Sequence, residues 1–186
     1  MSNDERPGWH RHPNGGGWVQ DTAHVAPTAY VGPDARVYGT AQVYGSARVY
    51  GTARVYDSAQ VYGSARVRGS AQVYDSAQVY DSAQVGGTAR VCGTALVEHT
   101  RHVVTVGPIG SEHRTVTAYR TTDGHEIVAG CWSGTVDELA DRIAHPKRAW
   151  PDSNKADRKR WRRDYEAVIT LVRSRLDEWS EWGDQS

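Results

Sequence analysis

The chain has 186 residues, room for one domain or two small ones, and its 22 basic and 22 acidic residues leave a formal charge of zero. That balance excludes whole-protein attraction to nucleic acid or anionic membrane, and two cysteines exclude a disulfide framework. No run of about 18 apolar residues is present to cross a membrane, and the polar N-terminus has no apolar signal core, so the expected location is the cytoplasm.

Residues 1–17 read as a flexible N-terminal arm, because Asn14-Gly-Gly-Gly17 has no means of holding one conformation. Trp18 follows and is expected to cover the open lower end of the body that comes next. From Val19 to His102 the chain repeats a six-residue unit, as in Val43-Tyr-Gly-Ser-Ala-Arg48, Val49-Tyr-Gly-Thr-Ala-Arg54 and Val55-Tyr-Asp-Ser-Ala-Gln60. Valine recurs every six residues from Val19 to Val103, and alanine stands four residues after each valine from Ala23 to Ala95. Four residues of the unit alternate small-inward, polar-outward, valine-inward and aromatic-outward, which is strand period. Gly or Asp followed by Ser or Thr then makes a tight corner. Three corners close a triangular rung of 18 residues. The expectation is a mainly β protein whose body, residues 18–103, is a parallel β-helix of four to five rungs. With about 4.8 Å between rungs it is roughly 22 Å tall.

Positions 18 apart then stack in columns. Tyr38, Tyr56 and Tyr74 are expected to form one aromatic ladder, and Tyr44, Tyr62 and Tyr80 another. Gln42, Gln60 and Gln78 are placed beside the first ladder, and Arg48, Arg66 and Gln84 beside the second. The third face has Gly32, Tyr50, Arg68 and Gly86 at its aromatic positions, with Arg36, Arg54, Gln72 and Arg90 as its polar column. It is therefore partly bare and basic. Arg36, Arg54, Arg68, Arg90 and Tyr50 are the expected binding residues, for an anionic ligand or an acidic protein.

After Val97 the repeat decays, and residues 104–186 read as a small α+β cap domain of about three strands and two helices. Val103–Val106 is a strand and Gly107-Pro-Ile-Gly110 a turn. Arg114–Arg120 and His125–Ala129 pair across the hairpin signal Thr122-Asp-Gly124. Thr135-Val-Asp-Glu138 is a capping box for a helix ending before Pro146. A longer amphipathic helix starts at Pro151-Asp-Ser153 and runs to about Trp182, with Trp161, Tyr165, Val168, Val172, Leu176 and Trp179 in one stripe. Such a domain would cover the last rung, an exposed sheet edge.

Val25-Ala-Pro-Thr-Ala-Tyr30 and Val31-Gly-Pro-Asp-Ala-Arg36 resemble the consensus of the bacterial hexapeptide-repeat proteins. Later units depart from it by placing Tyr after the valine. The resemblance implies a left-handed coil, which periodicity alone would not give, since ordinary parallel crossovers are right-handed. It also implies a homo-oligomer, by analogy a trimer. The stretches His102–Ser111 and Gly130–Thr135 resemble a C-terminal segment that follows such coils in bacterial and phage proteins, a resemblance that implies no activity.

The same family includes acyltransferases, which use a coil histidine near a subunit cleft, and γ-class carbonic anhydrases, which bind zinc through three histidines. Here His24, His99 and His102 stand near the coil's ends, and its middle has no histidine and no loop. Zinc catalysis needs three ligands and an open position. His99-x-x-His102 supplies two, and His10-x-His12 lies in the arm. A nucleophilic Cys131 needs a base within hydrogen-bond reach, but His125 would be roughly 20 Å away along one strand. Cys131 is expected to be buried and structural, and Cys92 replaces a ladder tyrosine. Arg158-Lys-Arg-Trp-Arg-Arg163 could grip phosphate, but it reads better as the solvated flanks of an apolar helix stripe, so nucleic acid is set aside. Threonines at corners rather than on flats exclude an ice-binding array.

The expected function is a non-enzymatic scaffold or interaction protein that self-assembles, with no catalytic residue, metal or cofactor assigned. The alternatives are an acyltransferase of the hexapeptide-repeat type, and a sequestering protein that holds an anionic small molecule or nucleotide at subunit interfaces.

Overall fold

The computed structural model describes residues 6–181, so Trp182, the expected end of the last helix, lies outside it. Contacts divide the chain into two units that meet at Val103 and Val104.

The first unit is built from two-residue strands joined by four-residue corners. They stack into three parallel sheets whose partners are 18 residues apart, as in Val37 on Val55 and Val43 on Val61. The first face stacks Trp18–Gln20, Arg36–Val37, Arg54–Val55, Gln72–Val73 and Arg90–Val91. The second stacks His24–Val25, Gln42–Val43, Gln60–Val61, Gln78–Val79 and Leu96–Val97. The third stacks Tyr30–Val31, Arg48–Val49, Arg66–Val67 and Gln84–Val85. The result is a parallel β-solenoid of about four turns. Every repeat valine from Val31 to Val97 is fully buried, and so is every repeat alanine from Ala29 to Ala89.

The corners need a left-handed residue. Gly39, Gly45, Gly51, Gly63, Gly69, Gly87 and Gly93 have φ between 61° and 70°, and Asp57, Asp75 and Asp81 have 56°, 57° and 50°. Asp is one of the few side chains that enter this region at low cost. The corner Ser or Thr donates its hydroxyl to a carbonyl one rung on, as Ser58 does to Asp75 at 2.9 Å and Ser64 to Asp81 at 2.7 Å. Corners that make this bond tie two rungs together.

Residues 9–17 are not a flexible arm. Trp9–Arg11 pairs antiparallel with Trp18–Gln20 and adds an outer strand to the first face. The glycines that follow are there for close approach. A Cβ on Gly15 would lie 2.3 Å from the Val31 carbonyl oxygen, and one on Gly17 would lie 2.4 Å from that of Gly32. The side-chain amide of Asn14 donates to the Ala29 carbonyl at 2.9 Å, and its own carbonyl accepts from Val31. Trp18 also departs from expectation. It is registered on Arg36, so it heads the outward column and does not plug the valine interior. It is buried because the guanidinium carbons of Arg11 and Arg6 stand 3.9 Å and 4.7 Å from its ring centroid.

The second unit is a four-stranded meander with helices. Its strands, Val103–Ile109, Arg114–Thr121, Gly124–Ala129 and Trp132–Gly134, lie in sequence order. The first runs through Gly107-Pro-Ile109, read above as a turn. A Cβ on Gly107 would be 2.8 Å from the Thr115 Cα, so glycine permits the pairing, and the chain turns at Gly110 (φ 71°) and His113 (φ 49°) instead. The hairpin closes at Thr121 and Gly124 as the Thr-Asp-Gly signal requires. Trp132–Gly134 is a strand the sequence pattern did not announce.

Helix α1, Val136–Ala144, begins at Thr135, whose hydroxyl accepts from the Glu138 N–H at 3.3 Å while the Glu138 carboxylate accepts from the Thr135 N–H at 2.7 Å. A one-turn helix α2, Pro146–Ala149, precedes α3, Lys155–Glu181. The side-chain oxygen of Asn154, just before α3, accepts from the Asp157 N–H at 2.8 Å. Val168, Val172 and Trp179 of the expected stripe join Val116, Ala118, Ile127, Leu139 and Ile143 in one core. No helix among the described residues is long and apolar enough to cross a membrane.

Candidate functional site

The outer surface of the first unit is made of side-chain columns. Tyr38 stacks on Tyr56 with ring centroids 4.8 Å apart and planes 2° from parallel, and Tyr56 on Tyr74 at 5.0 Å. Tyr44, Tyr62 and Tyr80 repeat this on the second face at 4.9 and 5.0 Å. Partial burial pushes the phenols of Tyr38, Tyr56 and Tyr62 above their ordinary range, and Tyr74, half-buried and bonded to Cys92, up to about 12.

The polar columns stand differently from the expectation. The Tyr56 hydroxyl donates to Gln72 at 3.1 Å, and Arg90 donates to the Tyr74 hydroxyl at 2.8 Å. The Tyr62 hydroxyl donates to Gln78 at 3.2 Å. So Arg36, Arg54, Gln72 and Arg90 belong to the first face, with the first ladder, and Gln42, Gln60 and Gln78 to the second face, with the second ladder. Residues two apart in one strand share a flat, whereas residues four apart are separated by a corner. The five expected binding residues are therefore not on one face. Arg36, Arg54 and Arg90 are on the first, while Arg68 and Tyr50 are on the third, with Arg48 and Arg66.

The third face is nonetheless bare and basic, with a different set of cations. Arg48, Arg66 and Arg68 are exposed, and none makes an ion pair among the described residues. The Arg48 guanidinium carbon lies 5.0 Å from the Tyr30 ring centroid and 5.7 Å from that of Tyr50. Arg68 lies across Gly86, where a Cβ would meet its Nε at 3.3 Å and its guanidinium carbon at 3.4 Å. Arg36 and Arg54 of the first face make no ion pair among the described residues either, so the contrast between faces lies in the corner residues. The left-handed positions following the third face are Gly51, Gly69 and Gly87, whereas Asp57 and Asp75 follow the first and Asp81 the second. Arg48 and Arg66 are paired in register one rung apart, so like charges repeat along this face at the strand spacing of about 4.8 Å.

His24 stands apart from the other two coil histidines, whereas the His99 and His102 rings meet edge-on with centroids 5.4 Å apart. His24 is exposed at the foot of the second face. His99 reaches the Ser82 hydroxyl at 3.1 Å, and buried His102 accepts the Glu98 N–H on Nδ1 at 3.3 Å. His12, read as part of a loose arm, is buried with its Nδ1 3.2 Å from the Asn14 carbonyl oxygen. No group of three metal-ligating side chains occurs among the described residues. Cys131 is exposed in the turn after Gly124–Ala129, not buried, because the strand ends before it; Cys92 is the buried one. His125 faces away from that chemistry and accepts the Val136 N–H at 2.9 Å, which completes the start of α1. Burial holds its imidazole below the ordinary histidine range. In the basic cluster Arg160 pairs with Asp157 at 3.0 Å and Arg162 with Glu166 at 2.8 Å, while Trp161 packs on Trp150.

A family model described as the YdcK β-solenoid repeat matches residues 47–63 and 59–75. The chain is a β-solenoid repeat protein. The matched rungs carry Arg48, Tyr50, Arg66 and Arg68, the core of the solenoid's third face. No curated protein and no solved structure shows significant similarity to the chain. Spacing alone placed Arg48 and Arg66 beside the second ladder, although the order of Gly and Asp at the corners marks the face that carries them.

Proposed function

We propose that this solenoid is a non-enzymatic scaffold that self-assembles, with its third face as the docking surface. The observation that supports this reading is the uncompensated charge of Arg48, Arg66 and Arg68 on a flat that glycine corners and Gly86 leave open. A second copy has what this surface lacks. Asp57, Asp75 and Asp81 are exposed at the other corners, and Asp57 and Asp75 repeat at the same one-rung rise as Arg48 and Arg66. Two rows of opposite charge with one spacing can pair along their length, and such pairing fixes register more than it adds affinity. The trimer implied by the hexapeptide-repeat resemblance would place such contacts around a three-fold axis.

The test is solution mass by sedimentation, for the wild type and for a variant with Arg48, Arg66 and Arg68 all changed to Glu. The expected result is an oligomer that dissociates in the variant and weakens with salt, while Arg36→Glu with Arg54→Glu leaves it intact. A wild type that is monomeric at all concentrations refutes self-assembly. An oligomer unchanged in the triple variant refutes the third face.

A further inference from the structure

The second unit contains a cleft of about 250 Å³ that the solenoid reading does not use. Three aromatic rings line it: Trp132, Trp150 and Tyr165. Trp150 and Tyr165 lie 5.8 Å apart and 25° from parallel. Leu139 and Ile143, one helical turn apart on α1, form an apolar floor that continues into the core. Gly110 is what admits Tyr165, since a Cβ there would lie 2.6 Å from its hydroxyl.

Two guanidiniums reach the cleft, and they are not equivalent. Arg114 is satisfied by Glu112, with Nε 2.6 Å from the carboxylate oxygen. Arg142 makes no ion pair among the described residues, and its guanidinium carbon stands 6.0 Å from the Trp132 ring centroid. The pair Arg114 and Glu112 is neutral as a unit, so Arg142 sets the charge of the cleft. The rings and the aliphatic floor face the polar groups of Ser111, Glu112, Arg114 and Arg142, so the cleft offers both apolar and polar contacts.

The chemistry of the lining restricts the ligand. Ring walls favour a planar partner by offset or edge contact, and an arginine beside them favours a carboxylate, which it can hold by two parallel hydrogen bonds.

We propose that this cleft binds a small aromatic carboxylate, the ring against Trp132, Trp150 and Tyr165 and the carboxylate on Arg142. The Tyr165 hydroxyl is the second donor. Burial raises its pKa, so it stays protonated and can donate. The site is independent of the solenoid surface, and its failure would leave the scaffold reading untouched.

The probe is benzoate, titrated into the full chain and followed by tryptophan fluorescence and calorimetry. Cys131 gives a second readout, because it lines the cleft and is exposed whereas Cys92 is buried, so a maleimide reports on the cleft. The expected result is saturable binding with a dissociation constant of about 1 mM or below, and at least threefold slower labelling of Cys131 at saturation. Arg142→Gln, at an exposed position in the last turn of α1, should keep the native circular dichroism and weaken benzoate at least tenfold. Benzyl alcohol and cyclohexanecarboxylate should bind more weakly than benzoate, the first for want of charge and the second for want of a flat ring. Absence of saturation by about 20 mM benzoate, an unchanged affinity in Arg142→Gln, or equal binding of benzyl alcohol would each overturn the proposal.

Discussion

Changing Tyr56 to Leu removes the middle ring of the first ladder. Tyr56 stacks on Tyr38 at 4.8 Å and on Tyr74 at 5.0 Å, and its hydroxyl donates to Gln72 at 3.1 Å. Each aromatic pair contributes about 0.5–1.5 kcal/mol beyond area burial, and a neutral hydrogen bond about the same net amount. Leucine keeps much of the apolar contact, so those three terms are what is lost, about 1.5–4.5 kcal/mol in all. The lower half of that range is expected, because the ring is half-buried and water replaces part of the hydroxyl's bond. Tyr50→Leu is the internal reference. Tyr50 is also half-buried, but its column neighbours are Gly32 and Arg68, so no ring stacks on it. It should lose its contact with the Arg48 guanidinium, at 5.7 Å, a matter of about 0.5–1 kcal/mol at an exposed site. Urea unfolding of both variants, compared through their midpoints at a common slope, measures the difference. If Tyr56→Leu costs no more than Tyr50→Leu, the rings stack because the backbone places them together, and the ladder adds nothing to stability.

Three other outcomes are expected. Val61→Asp should yield no soluble, cooperatively melting protein, since Val61 is fully buried among valines and an unpaired carboxylate there costs several kcal/mol, whereas Arg54→Ala, exposed, should stay within about 0.5 kcal/mol of wild type in the same melts. His125 has a folded pKa below its unfolded value of about 6.5, so its contribution is fully present above that pH and is lost as pH falls through the folded value; His125→Gln should flatten the stability curve of the second unit below about pH 6.5, and an unchanged curve would show that the bond to Val136 is idle. Tyr74 has a folded pKa raised to about 12, so its unfolded form deprotonates first, and stability should fall as pH rises from about 10; ultraviolet titration of native protein should show ladder phenols ionising later than in urea, and coincident curves would contradict the burial assigned to them.

The coil was legible because its signal is repeated. A valine every six residues with alanine four on implies a short strand and a corner, so the 18-residue rung, the inward valines and both tyrosine ladders followed from spacing, but the hand of the coil did not. The neighbours of those ladders did not. Whether Arg54 stands beside Tyr56 or beside Tyr50 depends on where the corner falls, and a shift of one corner moves a column to another face. Arg36, Arg54 and Arg90 were assigned to the third face for that reason, and Arg48 and Arg66 to the second. Glycine was misread in the same way. In Asn14-Gly-Gly-Gly17 it indicated freedom, but Gly15 and Gly17 are required because the chain passes against the backbone of Val31 and Gly32. Chain order therefore determined the rung, its core and the start of α1, since each depends on residues close in sequence. Only the tertiary structure decided which columns share a face, which cysteine is exposed, and that Trp132, Arg142, Trp150 and Tyr165 line one cleft. Those relations join residues with no common period, and folding alone brings them together.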